Sequence, residues 1–285
     1  MKIAVIGLGF VGSSIVKSFK QKNINVIGYD KYKDGGIGSI EECLSTDINF
    51  LALPTQYNYD LGEYDKSAII IVCNYLSKHN YTGLIVIKST VEPETTENLC
   101  KLFPNLEFVH NPEFLTARTA FDDFHNQTHV VLGRSSQCSD KNYKKLIKLF
   151  ETNYPNAEIS LCSSLESESM KIFCNSFYAV KVQFFTELFS LCNKNGCNFK
   201  KVIKMMLKNN WINPMHTNVP GTDNKISYGG LCFPKDTNAL SKYMEKLESP
   251  GQVLNATIAE RNIMRDDHDN CNNLQIPVEK STSGE

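Results

Sequence analysis

Near the C-terminal end of a 285-residue chain, Gly229-Gly230-Leu231-Cys232-Phe233-Pro234-Lys235-Asp236 brings together the parts of a nucleophilic site. The thiolate is the reactive form of a cysteine, and a neighbouring lysine favours it by charge. Two glycines let backbone and ligand approach closely. Lys171 and Asn175 stand four apart, so on a helix they share a face one turn apart. An ammonium and an amide so placed can donate to an oxygen that turns negative during reaction. At the other end of the chain, Gly7-Leu8-Gly9-Phe10-Val11-Gly12 follows an apolar run and opens a helix-like stretch. In that context the glycines allow a tight turn, close approach of the backbone to a pyrophosphate, and close helix–strand packing. The pyrophosphate would rest on the helix N-terminus, where free N–H groups and the helix dipole favour an anion. Asp30 ends the next apolar run, at the place where a carboxylate accepts both ribose hydroxyls and repels a 2′-phosphate. That favours NAD over NADP, with Lys31 and Lys33 pulling the other way.

The elements that must position these residues fall into two halves. Short apolar runs at Lys2–Ile6, Asn25–Tyr29, Ile48–Leu53, Gly83–Ile87, Glu107–His110 and His129–Leu132 alternate with helical patterns. The helices fit at Val11–Lys20, Ser67–Lys78, Glu94–Leu102 and Lys141–Phe150. This alternation predicts a mostly parallel, Rossmann-type α/β sheet over residues 1–160. From Leu165 to Asn193, Phe173, Phe177, Val180, Phe184, Leu188 and Leu191 recur at three- and four-residue steps. Their spacing predicts one long helix, stopped by Asn195-Gly196, at the centre of an all-helical domain over 161–265. A second helix, Phe199–Lys208, precedes a loop from Trp211 to Gly230 rich in Pro, Gly and Asn, and a last helical pair ends near Arg265. Residues 266–285 are polar and aperiodic and read as a disordered tail.

A hydrophobic fraction of 41% can build real cores, and a formal net charge of −1 argues against nucleic acid or an anionic membrane as main partner. No run approaches the roughly 20 apolar residues of a membrane span. The N-terminus reads as a first strand rather than a signal peptide. Ten cysteines without metal-ligand spacing, in a chain with no secretion signal, predict reduced thiols, a cytoplasmic location and no metal site. Aromatic residues crowd the long helix beyond what one face can bury, Phe184, Phe185 and Phe189 among them, which predicts a homodimer through that helix.

Several separate motifs give the chain a resemblance to the nucleotide-sugar 6-dehydrogenases, the UDP-glucose dehydrogenase family, from residue 1 to about 265. They are Gly7–Gly12, Leu53-Pro54-Thr55, Lys88-Ser89-Thr90-Val91, Asn111-Pro112-Glu113-Phe114-Leu115, Lys171 with Asn175, Pro220-Gly221 and Gly229–Asp236. The resemblance implies two successive NAD-dependent oxidations of a sugar C6 alcohol, most simply that of UDP-glucose. An aldehyde has no carbinol to give up a second hydride, so a nucleophile must first add to it. Cys232 is that nucleophile by resemblance, forming a thiohemiacetal and then a thioester. Lys171 and Asn175 would stabilise the oxyanion, and Lys171 would also exchange protons. Asp236 and Thr90 would hold a water, and Glu113 would promote thioester hydrolysis. Pro54, Thr55, Ser89, Thr90 and Lys235 join residues 7–12 and Asp30 as cofactor contacts. Glu113, Phe114, Leu115, Lys171, Asn175, Lys225, Tyr228 and Gly229 line the substrate.

Against that family the chain reads as a short form, without the C-terminal domain that contacts the nucleotide. The stretch between Asp30 and Ile48 is short as well. Ala117-Arg118 stands where the family prefers Glu-Gly, and Ser227 where the substrate loop usually has glycine. Gln56, Thr186 and His129 replace the usual Pro, Asn and Arg. A position needing positive φ would strain Ser227 by about 1 kcal/mol. Two alternatives stay open: a single-step β-hydroxyacid dehydrogenase, against which Cys232 argues, and a catalytically silent nucleotide-binding descendant.

Overall fold

The computed structural model describes residues 1–265 and 267; the expected disordered tail otherwise lies outside the described residues. The strands are β1 (Ile3–Ile6), β2 (Val26–Tyr29), β3 (Ile48–Leu51), β4 (Tyr57–Asn58), β5 (Glu63–Tyr64), β6 (Leu84–Ile87), β7 (Glu107–His110), β8 (His129–Arg134) and β9 (Glu158–Ser163). The helices are α1 (Phe10–Gln21), α2 (Ile40–Cys43), α3 (Ser67–Lys78), α4 (Thr95–Leu102), α5 (Ala120–His125), α6 (Asp140–Asn153), α7 (Ser164–Asn195), α8 (Phe199–Met206), α9 (Phe233–Lys246) and α10 (Gln252–Met264). Two compact units result among the described residues, 1–55 with 64–172, and 56–63 with those from 173 on.

The first unit carries a seven-stranded sheet of order β2-β1-β3-β6-β7-β8-β9, parallel except for the β7–β8 pair. Strands β1 and β6 are apolar throughout, and β3 is so apart from the buried Asn49, because both faces are covered. Ile3, Val5, Phe50, Leu84 and Val86 pack on one face with Phe19, Phe124, Leu146 and Phe150. Ala4, Ile6, Leu51, Ile85 and Ile87 pack on the other with Ile69, Val72, Leu76 and Leu99. The neighbours of β1 are β2 on one side and β3 on the other, so the strand order reverses there. At such a switch point the carboxyl ends of the strands open a ligand crevice.

In the second unit α7 extends through Asn195 and packs with α8 around Phe185, Cys192, Phe199, Ile203 and Val219. Helices α9 and α10 pack against each other. The long helix, expected over Leu165–Asn193, runs from Ser164 to Asn195. Helix α8 is shorter than expected, ending at Met206 before a 3₁₀ turn, Leu207–Asn209. Strands β4, β5 and β9 and the short helices α2 and α5 were not expected. Among the described residues no helix is long and apolar enough to cross a membrane.

Candidate active site

The glycine loop has the form its spacing requires. Gly7 has φ +90°, and a Cβ on Gly12 would lie 1.8 Å from the Gly7 carbonyl oxygen, so no side chain fits there. Beside Gly9 the space is open within 4 Å, leaving the backbone approachable. Leu8 is buried, Phe10 is exposed and Val11 half-buried. Asp30 accepts from Leu8 N at 2.7 Å and from Tyr32 N and Lys33 N at 3.0 Å. Burial alone would raise the Asp30 carboxyl, but these three N–H groups hold it below the usual carboxylate range. Lys33 donates to Leu8 O at 2.7 Å and Ser13 Oγ at 3.0 Å. A loop pinned to a carboxylate, with open backbone at a helix N-terminus, fits a dinucleotide.

Beyond β3 and β6 the polar residues lock together. Ser89 Oγ donates to Leu53 O at 2.6 Å and accepts from Leu53 N, while Thr55 Oγ1 donates to Thr90 O at 2.7 Å. Thr55, Ser89 and Thr90 are buried and Pro54 is exposed. Lys171, 4% exposed, donates to Glu113 O at 2.5 Å, with Glu113 Oε1 at 3.4 Å. Its ammonium also lies 5.2 Å from the centre of the Phe114 ring. Glu113 Oε2 accepts from Leu115 N at 2.6 Å. Phe114 is exposed and stacks on His129, whose Nε2 lies 2.8 Å from Ser160 Oγ, so the histidine has a local partner. Ala117 and Arg118 are exposed.

In the second unit Asp236 is fully buried, accepting from Asn175 Nδ2 at 2.6 Å and from Lys235 Nζ at 2.5 Å. Cys232 occupies the N-cap of α9 and is half-buried; Pro234 lies in the first turn. A helix N-terminus favours an anion. Tyr228 is buried with its hydroxyl 3.5 Å from Thr237 Oγ1, and Lys225 is exposed. Ser227 does take positive φ, +61°. Its amide donates to Thr186 Oγ1 at 3.0 Å and its hydroxyl to Gln183 Oε1 at 2.5 Å. The two departures at 186 and 227 therefore meet, and these bonds offset the strain. Nothing in the structure explains Gln56.

The structure thus groups Lys171 with Glu113 and Phe114, and Asn175 with Asp236 and Lys235. Sequence reasoning gave no role to Lys88, which is 2% exposed and donates to Asn111 Oδ1 at 3.0 Å and Pro112 O at 3.2 Å. Burial pushes it down to about 7, Glu113 opposing and Lys171 adding to the fall. A lysine directly after the all-apolar strand Leu84–Ile87 was the available signal.

Residues 37–152 match the NAD binding domain of the UDP-glucose/GDP-mannose dehydrogenase family, and residues 165–262 match its central domain. The glycine loop precedes the first match. The chain is 27% identical over 270 residues to a UDP-glucose 6-dehydrogenase of Campylobacter jejuni, covering 84% of this chain and 67% of that protein. It is 28% identical over 295 residues to a UDP-glucose 6-dehydrogenase of Rickettsia bellii, covering 90% of this chain and 66% of that one. It therefore spans about two thirds of the length of these relatives. A UDP-glucose dehydrogenase structure from Pyrobaculum islandicum has the same fold, with TM-score 0.79 and 23% identity over 92% of this chain and 68% of that one.

Proposed function

The chain belongs to the UDP-glucose/GDP-mannose dehydrogenase family, and from that premise we propose that it is an NAD-dependent oxidoreductase that takes the C6 alcohol of a nucleotide sugar, UDP-glucose first among them, to the carboxylate. The observation that carries this reading is Cys232 at the N-terminus of α9, followed within four residues by the buried Asp236 and its partners Lys235 and Asn175. A hydroxyacid dehydrogenase has no use for such a cysteine.

NAD, when bound, accepts the hydride that leaves C6 in each oxidation. Residues 7–12 and Asp30 would hold its pyrophosphate and ribose, with Pro54, Thr55, Ser89, Thr90 and Lys235 as further contacts. In the first oxidation the alcohol loses a proton and a hydride, and Lys171 or a water on Asp236 and Thr90 takes the proton. The Cys232 thiolate then adds to the aldehyde carbon, and the carbonyl π electrons pass to oxygen. Lys171 and Asn175 donate to that oxyanion. Loss of a second hydride from the thiohemiacetal leaves a thioester. Water, with Glu113 taking its proton, cleaves the C–S bond and returns the thiolate. The sum is alcohol, two NAD⁺ and water to carboxylate, two NADH and three protons. Glu113, Phe114 and Leu115, with Lys171, Asn175, Lys225, Tyr228 and Gly229, would contact the substrate.

We place this activity in the cytoplasm, in a homodimer joined through α7, where Phe173, Phe177, Phe184 and Leu191 are each more than half exposed at steps of four, seven and seven. A monomeric mass by light scattering would contradict the dimer. The activity is tested by NADH yield from limiting UDP-glucose with excess NAD. Two NADH per sugar are expected. One would mean a single-step dehydrogenase, and none with any nucleotide sugar, despite binding, would mean a silent descendant.

A further inference from the structure

The loop that leads into Cys232 holds a shape that its own residues do not enforce. Asn224 and Ser227 have φ of 60° and 61°, in the left-handed region that most L-residues avoid. Bonds within the loop close only its first half. Asn224 N donates to Gly221 O at 3.0 Å, and Gly221 N to Lys225 O at 2.9 Å. The second half is held from elsewhere in the same unit, by α7 through Thr186 and Gln183 and by the end of α10.

At the end of α10, Arg265 is 5% exposed. Its Nη1 donates to Ile226 O and to Ser227 O, both at 3.2 Å. Its Nη2 donates to Asp223 Oδ2 at 2.6 Å and to Asp267 Oδ2 at 2.7 Å, and Nε reaches Asp267 Oδ2 at 2.9 Å. One turn earlier, Arg261 Nε donates to Tyr228 O at 3.3 Å. Three successive carbonyls, 226 to 228, are therefore taken by two arginines a turn apart. Burial would drive Arg265 toward its neutral form, but Asp267 and Asp223 more than offset that, and the guanidinium is held charged. The same carboxylates are held below their usual range, with Arg265 among the causes in each. The guanidinium also presses on Gly229. A Cβ there would lie 2.4 Å from Arg265 Nη2 and 2.6 Å from its Cζ. Glycine at 229 thus makes room for the arginine, besides any approach of a ligand. Only a planar, rigid fork with donors on several sides can span two carbonyls and two carboxylates at once; a lysine presents a single point of charge.

We propose that Arg265 is a positioning residue for the substrate loop. It fixes residues 223–229 so that Tyr228 and Gly229 meet a nucleotide sugar in a preformed conformation. The proposal rests on the reading of this loop as the substrate loop. A loop already ordered before binding loses less conformational freedom on binding. Removing Arg265 therefore acts mainly on sugar-nucleotide affinity, and NAD affinity changes little because the glycine loop, Asp30, Pro54, Thr55, Ser89 and Thr90 belong to the other unit and only Lys235 of the cofactor contacts belongs to this one.

Arg265→Gln, Arg265→Lys, Gly229→Ala and Asp223→Asn test this on the full chain. Arg265→Gln is expected to raise KM for the nucleotide sugar about tenfold, with KM for NAD changed less than about twofold. Arg265→Lys falls between wild type and Gln. Gly229→Ala pushes the guanidinium away and gives the same split, and combining it with Arg265→Gln adds little. Hydrogen exchange at the Ser227 amide speeds up in each variant, while amides of β1 and β3 keep wild-type rates. This exchange measurement stands apart from activity: if the wild-type protein oxidises no nucleotide sugar, the functional reading fails and exchange still decides the clamp. If Arg265→Gln does not fold, Asp223→Asn decides, since it removes one half-exposed partner; a KM rise of about threefold is expected. A folded variant with unchanged sugar KM and unchanged Ser227 exchange overturns the proposal, as does an equal rise in both KM values.

Discussion

In the sheet unit the backbone itself fixes the ligand loop: Gly7 and Gly12 touch so closely that a methyl group on Gly12 would fall 1.8 Å from an oxygen. In the helical unit the loop before Cys232 is fixed by side chains reaching in from α7 and α10. The first kind of site tolerates no side chain at Gly12, and Asp30 and Lys33 add only an outside anchor to its backbone. The second tolerates change in the loop and depends on residues some 40 positions away. A cofactor shared by many enzymes suits a rigid backbone cradle, and a variable sugar suits a loop whose shape is set by replaceable side chains.

The largest effect should come from breaking the backbone site. Gly12→Ala is expected to destabilise the sheet unit by about 3 kcal/mol or more, with NAD binding lost in calorimetry. Wild-type binding by this variant would mean the cradle is soft. Next comes the chemistry, where Lys171→Met should lower kcat by about a hundred- to a thousandfold, the loss typical of an oxyanion donor. A drop of less than tenfold in steady-state assays would leave Lys171 with its structural bond to Glu113 alone.

Buried titratable groups of the sheet unit give a smaller, pH-dependent effect. Lys88 is depressed from its unfolded value near 10.5 to about 7. The folded state therefore binds fewer protons than the unfolded one in that window, and stability is greatest above it and falls as pH drops toward 7. Glu168 is fully buried, accepts from Thr96 N and Oγ1, and is raised to about 7. Its contribution is complete below about 4.5 and fades as pH rises through 7. Lys88→Met should flatten the upper slope and Glu168→Gln the lower one, each by at most about 1.4 kcal/mol per pH unit. Denaturant midpoints across pH check both, and parallel curves for mutant and wild type would contradict the assignment. The smallest effect belongs to Ser227→Gly, which relieves about 1 kcal/mol of left-handed strain and loses a hydroxyl bond to Gln183 worth about the same. A melting temperature within a few degrees of wild type is expected.

The same contrast explains what could be read from the sequence. The glycine loop was legible because Gly7, Gly9 and Gly12 stand together in the sequence, and Cys232 to Asp236 because they are contiguous. Helical spacing put Lys171 and Asn175 on one face, but their roles rested on the resemblance. The clamp of Arg265 was not legible: an arginine at a helix end reads the same whether it meets solvent or three loop residues. Lys88 was quoted within a motif, and its place directly after the all-apolar strand Leu84–Ile87 was a local signal of burial that went unused. Residues 56–63, which join the helical unit from within the sheet half, carry no local signal of that excursion.

The central claim concerns Cys232, and it can be read directly. The enzyme is quenched in acid during turnover of UDP-glucose with NAD, digested, and the peptides weighed. A uridine-diphospho-glucuronyl thioester on Cys232, absent without NAD and absent in Cys232→Ser, is the expected result. Two NADH per sugar with no adduct on Cys232, or undiminished two-step turnover by Cys232→Ser, would contradict it.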